Sequence, residues 1–231
     1  MARHSYSKNK LKEAITKFKE HYKWPDNKRI KNIKTILLDE YAESELNDDI
    51  VKAMYLAYQD VKRTLTGLSI VDLNNSNRKI VTKFLTRAYN TITTIIYDCR
   101  NFNHVTEAMI KIHLRDLSAP ITNYSYYTRL NNLSEDELFR FVTFGHKQKL
   151  VNMTIKYLVA EGKIKFSTKF HAPVDNQVIK AVSLFVTVPQ LYRSSTTNMP
   201  IENYLVIQNL IKNTLGFAPL YFDFMIWRGK E

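Results

Sequence analysis

Apolar residues recur every three or four positions through the first 98 residues of the chain. This is the spacing of one buried face of an α-helix. It predicts four helices in this part of the chain, over residues 7–21, residues 28–46, a segment that begins at Asp48, and residues 78–98. Because each helix needs a partner for its apolar face, we expect residues 1–98 to fold as a helical bundle domain.

After residue 101 the sequence contains both helical and β-prone segments. Helical spacing predicts a helix over residues 105–114, and a β-prone stretch over residues 121–128 follows it. Ser134 and Glu137 form a capping-box pattern that opens the next helix, and Gly145 ends that helix. A further helix is expected over residues 147–160, which Gly162 ends.

After Gly162 apolar and polar residues alternate, which is typical of a half-buried strand. Ile164, Phe166 and Phe170 would lie on the inner face of that strand. The sequence then predicts a turn over residues 173–176, a second strand over 178–188, a helix over 201–215 and an extended segment over 220–228.

The order helix, glycine turn, helix, glycine, strand, turn and strand resembles the winged helix-turn-helix superfamily. The resemblance covers residues 101–190 and depends on the segment SEDELFRFVTFGHKQKLVNMTIKYLVAEGKIKF. In that segment Gly145 lies in the turn, and YLVAEGKI is similar to the usual end of a recognition helix. The resemblance implies an α+β, mostly helical fold, in which the N-terminal helical bundle is followed by a winged-helix-like domain with a β-hairpin. Residues 191–231 would then pack on the rest.

The resemblance also implies a binding surface, because the second helix of such a motif enters the major groove of DNA. Gln148 and Asn152 would suit adenine edges, and the lysines would suit phosphates or guanine. The implied contacts of this helix are His146, Lys147, Gln148, Lys149, Asn152 and Lys156. The implied contacts of the basic hairpin are Lys163, Lys165, Lys169 and His171.

The charge balance favours a polyanionic partner. The chain has 34 Lys and Arg against 22 Asp and Glu, a net charge of +12, and such a surplus attracts polyanions. A secondary basic region near the N-terminus contains Lys8, Lys10, Lys12, Lys17, Lys19, Lys28, Arg29 and Lys31. It would either add phosphate contacts or form a solvated helix face, balanced by the acidic residues between positions 39 and 49.

Several classes of site are not expected. The five glycines are scattered, so no phosphate-binding glycine loop is present. The six histidines lack the spacing of metal ligands, and Cys99 is the only cysteine, which excludes an internal disulfide. We expect no enzyme activity, no cofactor, no metal and no membrane segment. The single cysteine favours a reducing, cytoplasmic location.

The sequence therefore predicts a non-catalytic nucleic-acid-binding protein, with duplex DNA preferred over RNA. A transcription regulator or a replication initiator would fit, and the Asn-, Lys- and Ile-rich composition would suit a phage or plasmid. Two alternatives are a protein-interaction or assembly factor with an acidic partner, and an RNA-binding protein. Apolar helix faces before Asp98 would also support a homodimer.

Overall fold

A computed structural model describes residues 7–63, 65, 75–101, 142–187, 196 and 199–227. In these ranges the chain forms eight α-helices, a 3₁₀ turn at Glu43–Glu45 and a π-helical turn at Leu210–Thr214. The helices are α1 Lys8–Lys19, α2 Asn27–Leu37, α3 Asp48–Val61, α4 Asn75–Asn101, α5 Phe144–Ala160, α6 Asn176–Ser183, α7 Ile201–Asn209 and α8 Pro219–Ile226.

Four helices occur where four were predicted in the first 98 residues, but α2 ends at Leu37 instead of extending to residue 46. Side-chain caps mark the start of the first three. Ser7 accepts a hydrogen bond from the Lys10 backbone N–H and so begins α1, and Asp26 begins α2 in the same way. The Asn47 side chain caps α3. The apolar stripes of these helices are buried against one another and against α5.

Helix α5 lies at the centre of the described structure, where it packs against α1, α3 and α4. All of its 17 residues are buried except Lys149. A helix buried on every side normally carries apolar residues all round. In α5, several polar and charged side chains lie in the core instead.

The prediction of a β-hairpin after Gly162 is wrong. No β-strand occurs in the ranges given above, and the fold of this part is helical. The predicted second strand, residues 178–188, begins as α6, because Asp175 caps the backbone N–H groups of Gln177 and Val178. Val178, Ile179 and Val182 are buried at helical spacing, which outweighs the β-branched composition of the segment.

The extended segment predicted over residues 220–228 is also wrong, since α8 occupies most of it. Pro219 at the first turn favours a helix start, and the apolar run that follows is buried. Such short apolar runs are compatible with either a strand or a helix. The predicted helix 105–114 and strand 121–128, and most of the helix predicted after Ser134, lie outside the described residues.

One hydrophobic core joins the described parts of the three predicted domains. It includes Leu37 and Leu85 from the first, Leu150 and Val178 from the second and Phe224 from the third.

Glutamine side chains satisfy the backbone of the irregular segment 170–174. Gln148 donates to the Val174 carbonyl at 2.8 Å and accepts from the Val174 N–H at 3.1 Å. Gln208 forms the same pair of bonds with Ala172, at 2.7 and 3.0 Å. Buried backbone groups need such partners, so this segment can lie in the core without belonging to a sheet.

We expect Gln148→Leu to lower the free energy of unfolding by about 2–4 kcal/mol, because it leaves the N–H and C=O of Val174 buried without partners. Urea unfolding measures the change. Asn32→Leu is the matched control on an exposed site of α2 and should change stability by less than about 0.5 kcal/mol. Equal effects of the two substitutions would contradict this role of Gln148.

Candidate nucleic-acid interface

The residues predicted to read base edges lie in the core. Their exposed fractions are 2% for His146, 5% for Lys147, 0% for Gln148, and 1% for both Asn152 and Lys156. Only Lys149 of this set is partly exposed. A side chain must leave the protein surface to enter a groove, so in this conformation α5 presents at most Lys149 to a nucleic acid.

Three of these residues form one line along α5, which we call the polar seam: Gln148, Asn152 and Lys156. Residues four apart on a helix share a face. Gln148 binds the backbone of Val174, and Asn152 donates to the Tyr204 hydroxyl at 2.9 Å. The polar seam therefore faces the C-terminal half of the chain and finds its partners there.

The Tyr204 hydroxyl extends this network to a second predicted site residue. His171 Nδ1 lies 2.7 Å from the hydroxyl, and both side chains are buried. His171 is therefore held inside the protein rather than presented at the tip of a hairpin. Tyr204 joins α5, α7 and the irregular segment 170–174 at one point.

The third residue of the polar seam forms a buried ion pair. Lys156 Nζ lies 2.6 Å from Asp223 Oδ2, with side-chain exposures of 1% and 7%. The ammonium also lies over the rings of Phe18 at 4.3 Å and Phe224 at 5.2 Å, which stabilises it by cation–π attraction. Burial raises the pKa of Asp223, and the adjacent Lys156 opposes that rise.

Lys147 is buried without such a partner. Its Nζ forms no hydrogen bond in the described part of the protein. Burial, with a smaller contribution from the Arg87 charge, lowers its pKa to about 7. A buried amine whose charge is so disfavoured makes a poor phosphate ligand.

His146 has a structural role at the start of α5. Its Nδ1 accepts a hydrogen bond from the Thr143 backbone N–H at 3.1 Å. This bond reaches back to the residue before the helix, as in a capping box. His146 thereby fixes the first turn of α5.

The lysines predicted for the hairpin surface have different environments. Lys163 is exposed and pairs with Asp49 at 3.2 Å. Lys165 is exposed, and Lys169 is partly buried. These lysines lie in an irregular stretch of chain, so they do not form the regular basic row that a strand would give.

The secondary basic region is on the surface. All eight of its predicted residues are exposed: Lys8, Lys10, Lys12, Lys17, Lys19, Lys28, Arg29 and Lys31. Lys19 pairs with Glu161 at 3.2 Å. Within the described ranges the other seven form no ion pair.

Four of the six acidic residues between positions 39 and 49 pair with other cations. Lys34 lies 3.1 Å from Glu43 and 3.2 Å from Asp48. Arg78 binds Asp39 at 2.8 Å, and Asp49 pairs with Lys163. The acidic stretch therefore does not neutralise the seven exposed cations of α1 and α2.

Sequence reasoning missed the buried Lys156–Asp223 pair and the cavity beside it. The spacing of Gln148, Asn152 and Lys156 was the available signal, because polar residues at i, i+4 and i+8 share one helix face. The sequence cannot say whether such a face meets solvent or partners in the core. The partners Tyr204 and Asp223 are 52 and 67 residues away along the chain.

We expect Lys147→Met to stabilise the protein, and to do so more at low pH than at high pH. Between about pH 7 and the ordinary lysine value of 10.5, the unfolded chain binds a proton that the native state lacks. Wild-type stability from this residue therefore rises with pH. Urea unfolding at about pH 6 and about pH 9.5 should show a gain on the order of a few kcal/mol that shrinks at the higher pH. Lys165→Met is the exposed control. A stability gain from Lys147→Met that did not depend on pH would contradict the lowered pKa of Lys147.

Replacing one residue of the buried Lys156–Asp223 pair should lower the free energy of unfolding more than replacing both residues. Asp223→Leu leaves the Lys156 charge buried and alone, so we expect stability to fall by about 3–5 kcal/mol. Adding Lys156→Met should recover part of that stability, since no charge is then stranded. The surface pair Lys163–Asp49 is the control, with an expected coupling below about 1 kcal/mol. Additive effects of the single substitutions at Lys156 and Asp223 in a double-mutant cycle would argue against coupling.

Two further classes of site are not found in the described residues. None of the described helices is long and apolar enough to cross a membrane. No group of three or more His, Cys, Asp or Glu in this part could hold a metal ion.

Comparison of the chain with protein-family models, with curated proteins and with solved structures found no match.

Proposed function

We propose that the protein is a non-catalytic nucleic-acid-binding protein that holds duplex DNA by its phosphates, through the exposed cations of α1 and α2. The observation that carries the proposal is that seven exposed cations of these two helices form no ion pair with any other residue that the structure describes. These cations are Lys8, Lys10, Lys12, Lys17, Lys28, Arg29 and Lys31, which we call the basic face. The basic face replaces the helix over residues 147–160 as the main binding element.

The dimensions of α1 suit a phosphate backbone. Its 12 residues extend over about 18 Å. Duplex DNA carries one negative charge per roughly 1.7 Å of its axis when both strands are counted, so a length of about 18 Å includes about ten phosphates, about five on each strand. Lys10 and Lys17 are seven residues apart, about two helical turns, so these two long cations lie on the same side of α1 and can contact the same array.

The basic face supports affinity rather than base reading. Phosphate contacts position a protein on DNA but carry no sequence information. The side chains suited to base edges, Gln148 and Asn152, have buried partners. Binding is therefore expected to be salt-dependent and tolerant of sequence.

We expect the triple variant Lys10→Gln, Lys17→Gln and Lys28→Gln to weaken binding to a duplex DNA by at least about tenfold at low salt. The slope of log affinity against log salt should fall by about 0.9 for each phosphate that the variant no longer neutralises. Fluorescence anisotropy over a salt series measures both quantities.

The matched control removes the same charge elsewhere, with Lys165→Gln, Lys169→Gln and Lys180→Gln. It should retain nearly wild-type affinity and slope. Equal weakening by the two triple variants would mean that net charge, rather than the basic face, drives binding. Absence of binding to duplex DNA, single-stranded DNA and RNA at low salt would exclude the proposal and favour an acidic protein partner.

A further inference from the structure

A cavity of about 210 Å³ lies where α1, α3, α5 and α8 meet the start of α6. We propose that this cavity binds a free α-amino acid with an apolar side chain, such as phenylalanine. The proposal concerns a small-molecule site and does not depend on the basic face.

Most charged groups of the cavity are already satisfied by one another. Asp60 pairs with Arg63 at 2.6 Å and accepts from the Tyr157 hydroxyl at 3.1 Å. Lys156 pairs with Asp223 at 2.6 Å. The Tyr22 hydroxyl, also in the wall, donates to Glu161 at 2.9 Å. The charges of the two ion pairs in the wall, Asp60–Arg63 and Lys156–Asp223, cancel.

Two opposite charges in the cavity are left without an ion pair. Lys149 and Asp175 are both partly buried, and neither forms a salt bridge within the described ranges. Asp175 uses Oδ1 to cap α6, where it accepts from the N–H groups of Gln177 and Val178. Its Oδ2 therefore remains able to accept from a ligand.

Lys149, Asp175 and the buried carboxylate of Asp223 all line this cavity. A ligand that carries an ammonium and a carboxylate would complement Asp175 and Lys149, respectively.

The wall also has an apolar and aromatic part, formed by Phe18, Met153 and Trp227 beside the polar side chains of His21 and Gln177. A dry cavity of about 150 Å³ suffices for benzene, so the volume here suits an aromatic or branched side chain. A zwitterion with an apolar substituent satisfies both parts of the wall.

The test uses the full chain and three probes in isothermal titration calorimetry: L-phenylalanine, phenethylamine and 3-phenylpropionate. Phenethylamine lacks the carboxylate, and 3-phenylpropionate lacks the ammonium. We expect L-phenylalanine to bind, and each of the other two to bind at least about tenfold more weakly, because each can satisfy only one of the two charged side chains.

Two variants locate the binding site. Asp175→Asn removes the charge but keeps a residue that caps helices well, and Lys149→Gln removes the opposite charge. Each should raise the Kd for L-phenylalanine by about tenfold or more, without a change in the urea midpoint. Lys165→Gln, an exposed control, should leave the Kd unchanged.

The proposal fails if L-phenylalanine shows no saturable binding up to about 10 mM. It also fails if phenethylamine or 3-phenylpropionate binds as tightly, or if both variants bind like wild type. None of these results bears on DNA binding by the basic face, so the two proposals can fail separately.

Discussion

The fold depends on α5 being buried on every side although it carries charged and polar residues. Gln148, Asn152 and Lys156 cross the core, and each finds a partner in the C-terminal half of the chain. A buried polar group is costly unless it is bonded. The polar seam therefore fixes one register of α5 against the irregular segment 170–174, α7 and α8. It also makes these elements depend on one another, since removing any partner would strand a polar group in the core.

Helices with clear amphipathic spacing could be predicted from the sequence, as α1 to α4 show. Elements whose environment decides their conformation could not. Val178 to Val182 has β-branched composition, yet the Asp175 cap and three buried residues at helical spacing make it a helix. Phe170 is buried, as the alternating pattern indicated, but the backbone beside it bonds to glutamine side chains distant in sequence rather than to a second strand.

The candidate site was likewise predictable from the sequence only in part. Exposure of the basic residues in α1 and α2 could be predicted, because lysines beside an apolar stripe remain in solvent. The similar composition of residues 146–156 led to a wrong prediction of exposure. A polar helix face has the same sequence pattern whether it contacts water or hydrogen-bond partners in the core. The distinction matters for function: the polar seam contributes to the fold, and the exposed cations of α1 and α2 are the residues that we propose to bind a polyanion. No local motif predicts the cavity beside Asp223, because its wall is assembled from five helices.

The most direct test of the central claim is the reactivity of individual lysines in the native protein. Mass spectrometry after brief treatment with an amine-acylating reagent can compare Lys147 and Lys156 with Lys10 and Lys165. Because the first two are 5% and 1% exposed, we expect them to stay unmodified until the protein is denatured, while the exposed lysines react at once. If Lys147 and Lys156 reacted as fast as Lys10 in the folded protein, α5 would be a surface helix and the account would be wrong.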